Sequence, residues 1–276
     1  MGNPVTGKRV YRHSIAARAS HWLWTLAMLV LVMSGLQIFN AAPYLDASDK
    51  SNPAKRVLII GASESAADPQ RVTGLTKILG HTFKTTGFLG YTDDGMGARA
   101  ERAFPGWATL PGEQDLADGR RWHLFFGWLL TLAIVVYLVA GAVRKDLREL
   151  VLRPSDVPKL LPMQLYYLRL RKEPPPHGAY NPLQKAAYTV VLFVFVPLII
   201  ITGLALSPGI DAIASPLTAL LGGRQFARLW HFSLMVLLIG YFLTHMVLVF
   251  ATGPWNNIRS MITGFYILGD HEGVGP

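Results

Sequence analysis

The sequence predicts an all-α fold, a polytopic membrane four-helix bundle with a long extracytoplasmic loop between its first two spans. Three observations carry this expectation. Of 276 residues, 51% are apolar and only 16% are charged. The apolar residues gather into four uncharged runs, residues 22–39, 124–143, 186–206 and 230–252. Each run is about the 20 residues that cross a hydrocarbon core, whereas a soluble helical protein would interrupt it with polar positions. The charges, finally, are clustered in the connections.

That clustering sets an orientation. Lys8, Arg9, Arg12 and Arg18 precede the first run with no acid among them. Residues 144–185 carry nine Lys/Arg against four Asp/Glu, whereas residues 41–119 carry eight against ten. By the positive-inside rule the N-terminus, the middle connection and the C-terminus are cytoplasmic, and the 41–119 loop lies outside. The net charge of +9 would point to nucleic acid in a soluble protein, but here it flanks spans, so a lipid bilayer and no nucleic acid is expected. The chain has no cysteine, which excludes disulfides, iron–sulfur ligation and covalent haem attachment.

In chain order, a basic entry segment leads to His21-Trp22 and the first span, about residues 20–40. A cleaved signal peptide is the competing reading there, with Ala41-Ala42 as small residues at a cleavage site. The apolar run exceeds the roughly 7–15 residues of such a segment. Gly35 shares a helical face with His21, where its missing side chain suits either a flat cofactor ring or close helix packing.

The 41–119 loop is too long for a simple turn. Residues 55–61 (KRVLIIG) resemble a strand ending at glycine, but no G-x-G-x-x-G follows, so a nucleotide site is not expected. Residues 82–91 and 104–112 set turn residues beside aromatics and suggest a small cap on the membrane surface. The second span covers about 121–143. Residues 157–170 read as a helix on the inner surface, ended by Pro174-Pro175-Pro176. The third span, about 184–207, has no histidine and carries Pro197, which is expected to kink it. A short outer connection over 208–223 leads to the fourth span, about 228–252, and an amphipathic tail. The whole of 1–276 reads as one transmembrane domain.

Of eight histidines, His21, His123, His231 and His245 lie in or at the mouths of spans. His231 and His245 are fourteen residues apart, almost four turns, hence on one face and separated by about 21 Å of helix. That puts one near each edge of a core roughly 30 Å thick. Topology places His123 and His231 at the outer edge and His21 and His245 at the inner edge. Two imidazoles at each of two depths suit two bis-histidine haems b. Zinc or copper takes more ligands, and a proton relay would show intramembrane Asp or Glu. Arg18, Arg120 and Arg228 each precede a candidate ligand by three residues, one turn nearer water, where haem propionates would emerge. Ordinary flanking of a span by arginine explains them equally well. His13, His81, His177 and His271 read as surface residues.

The motifs RASHW (18–22), GRRWH (119–123), RLWH (228–231) and TH (244–245), set in four spans, resemble the bacterial di-haem cytochrome b family. That family includes the membrane b subunits of nickel–iron hydrogenase, formate dehydrogenase and thiosulfate reductase. HTFKTTGFLGY and FPGWATLPG in the loop are most similar to the thiosulfate-reductase-like branch. The resemblance implies that His21, His123, His231 and His245 bind two haems in the bacterial inner membrane. It also implies electron exchange between a periplasmic molybdopterin-type or similar redox subunit and membrane quinone. Two other classes stay open. One is a stand-alone oxidoreductase, such as a superoxide oxidase or an acceptor reductase, at the outer haem. The other is a haem-free anchor or transporter.

Overall fold

The computed structural model describes residues 8–65, 68–144, 147–178 and 180–267. Its elements begin with strand β1 (Arg9–Tyr11) and helix α1 (Ile15–Asn40), followed by strands β2 (Tyr44–Asp46), β3 (Arg56–Ser65), β4 (Asp68–Ile78), β5 (His81–Lys84), β6 (Gly90–Asp93) and β7 (Arg99–Arg102). Then come α2 (Leu116–Val143), α3 (Leu147–Leu150), α4 (Leu160–Tyr167), α5 (Pro182–Val190), α6 (Val196–Leu206), α7 (Pro208–Ile213), α8 (Ser215–Leu220), α9 (Arg224–Ala251), α10 (Pro254–Thr263) and β8 (Phe265–Ile267). Four helical runs are long and apolar enough to cross a membrane: α1, α2, Pro182–Leu206 and α9. Each starts upstream of its apolar run, because the first helical turn tolerates polar residues at the water interface. The proline of the third run is absorbed by a π-helical turn, Val191–Phe195, in which the Val196 N–H reaches back to the Val191 carbonyl. The wider turn precedes Pro197, which has no N–H to give the ladder.

The chain packs as two units, and each of the four runs contributes one segment to each. One unit comprises Leu23–Leu132 and Leu198–Val236. It contains the main departure from the all-α expectation. The connection after α1 folds into a four-stranded antiparallel sheet, ordered β2-β3-β4-β5, and a separate β6-β7 hairpin. Strand β3 runs through Gly61 to Ser65 instead of stopping at the glycine, because β4 pairs with it along its length. Val57, Ile59 and Ile60 are β-branched and suit a strand, and Ile60 is the one of them that is buried. Phe39, Leu45, Ile60 and Ala103 form a core here, with Phe104, Leu229 and Phe232 packed against it. Phe39 meets Phe232 at 4.9 Å and Phe104 at 5.5 Å between ring centres. Asn40 fixes the same junction by accepting from the Phe104 N–H at 2.8 Å and donating to its carbonyl at 3.3 Å.

The second unit gathers the described parts of Met1–Trp22, Ala133–Pro197 and Leu237–Pro276. Its N-terminal strand β1 pairs antiparallel with β8 beyond α10. The amphipathic tail thus ends in a strand pairing that local sequence does not announce. Arg18 donates to the Ile262 carbonyl, and Trp22 Nε1 donates to the Met261 carbonyl at 3.0 Å. The helix expected over 157–170 is shorter and differently placed. A 3-10 turn, Pro154–Lys159, precedes α4, and Arg169 at φ 60° ends it. Pro158, inside that turn, has no N–H to give an earlier α-helical bond. Asp156 in this turn pairs with Lys185 at 3.1 Å.

Candidate functional site

Two histidine pairs form, one in each unit. In the first, His123 of α2 faces His231 of α9, with ring centres 6.1 Å apart. In the second, His21 of α1 faces His245 of α9 at 6.3 Å. A metal held between two imidazoles by bonds of about 2 Å, with the half-width of each ring added, would need ring centres about 6 Å apart. Both pairs are therefore spaced as a metal held between two imidazoles would require. Among the described residues no three His, Asp or Glu side chains gather in a metal-holding group.

The surroundings of the first pair are specific. His123 Nδ1 lies 3.1 Å from Ser34 Oγ, and His231 Nδ1 lies 2.9 Å from Thr202 Oγ1. A Cβ added to Gly35 would sit 3.2 Å from His123 Cε1, and one added to Gly203 would sit 3.2 Å from His231 Cε1. Gly35 thus serves close packing against an imidazole of a neighbouring helix. Ser34, Thr202 and Gly203 are absent from the residues that the sequence singles out. The available signal was a hydroxyl directly before glycine in two apolar runs, one of them lacking histidine. The second pair is walled by aromatics. Trp22 meets His21 edge-on at 5.3 Å, and Tyr241 stacks on His245 at 6.1 Å.

The three arginines differ. Arg120 is exposed and has no hydrogen bond or ion pair to the described residues. Arg228 donates to the Ala42 carbonyl and lies over the rings of Phe39 and Tyr44 at 5.3 and 5.5 Å. Arg18 holds Ile262, as described. Arg120 thus has its whole guanidinium available to a propionate, whereas Arg18 and Arg228 would share theirs with backbone carbonyls. Of the other histidines, His81 and His177 are exposed and His271 lies outside the described residues. His13 is half-buried in a cavity of about 250 Å³ with Arg12, Ser14, Tyr137, Arg144 and Tyr180. Burial, with the charges of Arg12, His21 and Arg18, lowers its pKa from 6.5 to about 4.

Membrane-length helices that bring imidazoles together in pairs, with no third His, Asp or Glu gathered beside them among the described residues, fit a membrane cytochrome of the b type. The family model described as prokaryotic cytochrome b561 matches residues 12–264, and the chain belongs to that family. It is a multi-pass bacterial membrane protein that binds haem b and carries electrons across the bilayer. It is 25% identical over 249 residues to a candidate protein-methionine-sulfoxide reductase subunit, YedZ1, of Azospira oryzae, covering 88% of this chain and 92% of that protein.

Proposed function

We propose that the chain holds two haems b, one between His123 and His231 and one between His21 and His245, and passes electrons between a quinone and a redox partner subunit. The observation that supports this best is the near-equality of the two ring-centre separations, 6.1 and 6.3 Å. When bound, haem would supply a one-electron iron couple, and a histidine pair holding each iron would favour electron transfer over the binding of oxygen or substrate. The protein's part is to fix ligand identity and ring orientation, exclude water with apolar helices, and offer Arg120 to a propionate. The Lys/Arg bias supports a cytoplasmic N-terminus and C-terminus. His21–His245 then lies near the cytoplasmic edge and His123–His231 near the opposite edge.

On the periplasmic side the partner is a molybdopterin-type or similar catalytic subunit. The similarity to the Azospira reductase subunit supports such a partnership. At the other edge the electron partner is quinone. The 250 Å³ cavity is lined by the polar side chains of Arg12, His13, Tyr137 and Tyr180, groups of the kind that recognise ring carbonyls. Ala17 in its wall lies one helical turn before His21.

The test is haem stoichiometry and the dithionite-reduced spectrum of the purified protein. Wild type is expected to hold two haems per chain. His123→Leu and His231→Leu should each lose one spectrally identical haem, and His21→Leu and His245→Leu the other. A single haem in wild type, or His21→Leu removing the same haem as His231→Leu, refutes the assignment.

A further inference from the structure

The two imidazoles of the His123–His231 pair are held in the same way by different helices. Ser34 and Thr202 are 0% and 1% exposed, so neither hydroxyl has solvent as an alternative partner. Ser34 Oγ lies 2.6 Å from the Val30 carbonyl, and Thr202 Oγ1 lies 2.8 Å from the Leu198 carbonyl, each four residues back on its own helix. A hydroxyl has one hydrogen. Once that hydrogen goes to the carbonyl, the oxygen can only accept from the imidazole, so Nδ1 must carry the proton. The lone pair is then on Nε2, the nitrogen left to meet iron.

The following glycine completes the arrangement. It brings its helix backbone so close that a Cβ would stand 3.2 Å from Cε1 in both cases, and 3.6 or 3.7 Å from Nδ1. The agreement of the two sets of distances on unrelated segments argues against incidental packing. Buried Ser and Thr commonly bond back to their own helix, but that habit alone does not aim the oxygen at an imidazole nitrogen.

We propose that Ser34-Gly35 and Thr202-Gly203 are two copies of an imidazole-orienting notch that fixes the Nδ1–H tautomer and ring plane of His123 and His231. Through those rings the notches set the reduction potential of the haem they hold. The inference rests on the reading that these histidines are haem ligands. An acceptor at Nδ1–H makes the imidazole a stronger donor, which favours the ferric state and lowers the potential. Ser34 and Thr202 are positioning residues, since they act through the ligands.

The experiment is a spectroelectrochemical titration of the purified full-length protein, with EPR of the ferric haems. Ser34→Ala and Thr202→Val should both retain two haems, shift one of the two titration waves to higher potential, and move the largest g-value of that haem alone. Thr202→Ser should restore the wild-type wave. Waves and g-values that stay fixed in both loss variants, or a shift in Thr202→Ser as large as in Thr202→Val, overturn the proposal. If Ser34→Ala fails to fold, the Thr202 series on its separate helix decides the matter. Two haems persisting in His123→Leu and His231→Leu would instead refute the ligand assignment, and the notch with it.

Discussion

Arg102 donates to Gln37 Oε1 at 3.0 Å, and Gln37 passes its own amide to the Glu113 carbonyl at 2.8 Å. Strand β7, the end of α1 and the approach to α2 are thereby joined through one side-chain relay. Arg102 is only 3% exposed and also donates to Asp94 O, Gly112 O and Thr109 Oγ1, all neutral acceptors. Burial pulls its pKa down, opposed by Asp93 and Asp94, and an arginine stays charged under such a balance. Arg102→Met would take a donor from each of these acceptors, at an expected cost of about 3 kcal/mol to local stability. Hydrogen exchange of the β6 and β7 amides should speed up accordingly, with haem content unchanged. Unaltered exchange would show that the relay contributes nothing.

Substitution at Gly203 should be graded by size. With a Cβ at 3.2 Å from His231 Cε1, the neighbour must give way by a few tenths of an ångström. Under the proposed two-haem arrangement, Gly203→Ala is predicted to keep both haems with an altered ferric EPR signal. Gly203→Leu, whose added atoms require more room than side-chain adjustment provides, is predicted to lose the His231 haem. Pyridine haemochrome assay and EPR read both. Full haem content in the leucine variant would contradict the close contact.

The four spans are legible because hydropathy is a local property, and the adjacency of His123 with His231 and of His21 with His245 follows from spacing plus topology. The hydroxyls that hold the first pair are not legible. Ser34 and Thr202 look like ordinary back-bonding residues of apolar helices, which they also are, and only tertiary packing brings an imidazole nitrogen to them. The sheet is half-legible. The apolar stretch of β3 signals a strand, but Gly61 reads as its end unless β4 is known to pair past it. The β1–β8 pairing joins the two ends of the described chain, and a short strand in a basic tail carries no signal of so distant a partner.

The β4–β5 turn carries relievable strain. Leu79 and Gly80 connect Ile78 to His81 and both have positive φ, 48° and 90°. Two positive φ values in a two-residue hairpin loop are the mark of a type I′ turn, which favours Asn-Gly. Leu79 is 72% exposed, so its side chain contributes little packing. Leu79→Asn should stabilise the sheet by about 1 kcal/mol, read as slower hydrogen exchange in β4 and β5. Faster exchange would show that the leucine contributes something the turn geometry does not reveal.

His13 should make stability depend on pH in a defined direction. Its folded pKa, about 4, lies below the ordinary 6.5. Between those values the unfolded chain binds a proton that the folded chain does not. Stability from this residue is therefore full above about pH 6.5 and declines as pH falls toward 4. His13→Gln cannot titrate, so the variant should lose less thermal stability than wild type between pH 7 and pH 5. Melting curves of the two proteins in the same detergent give the difference directly, and parallel curves would place His13 in a more solvated setting. At neutral pH the same depression keeps the imidazole uncharged, so on the proposed quinone reading His13 would offer a ring carbonyl a neutral N–H. Quinone affinity should consequently be flat from pH 8 to pH 6 in wild type and lower throughout in His13→Leu. A rise in affinity on acidification across that range would mean that the charged imidazole binds instead.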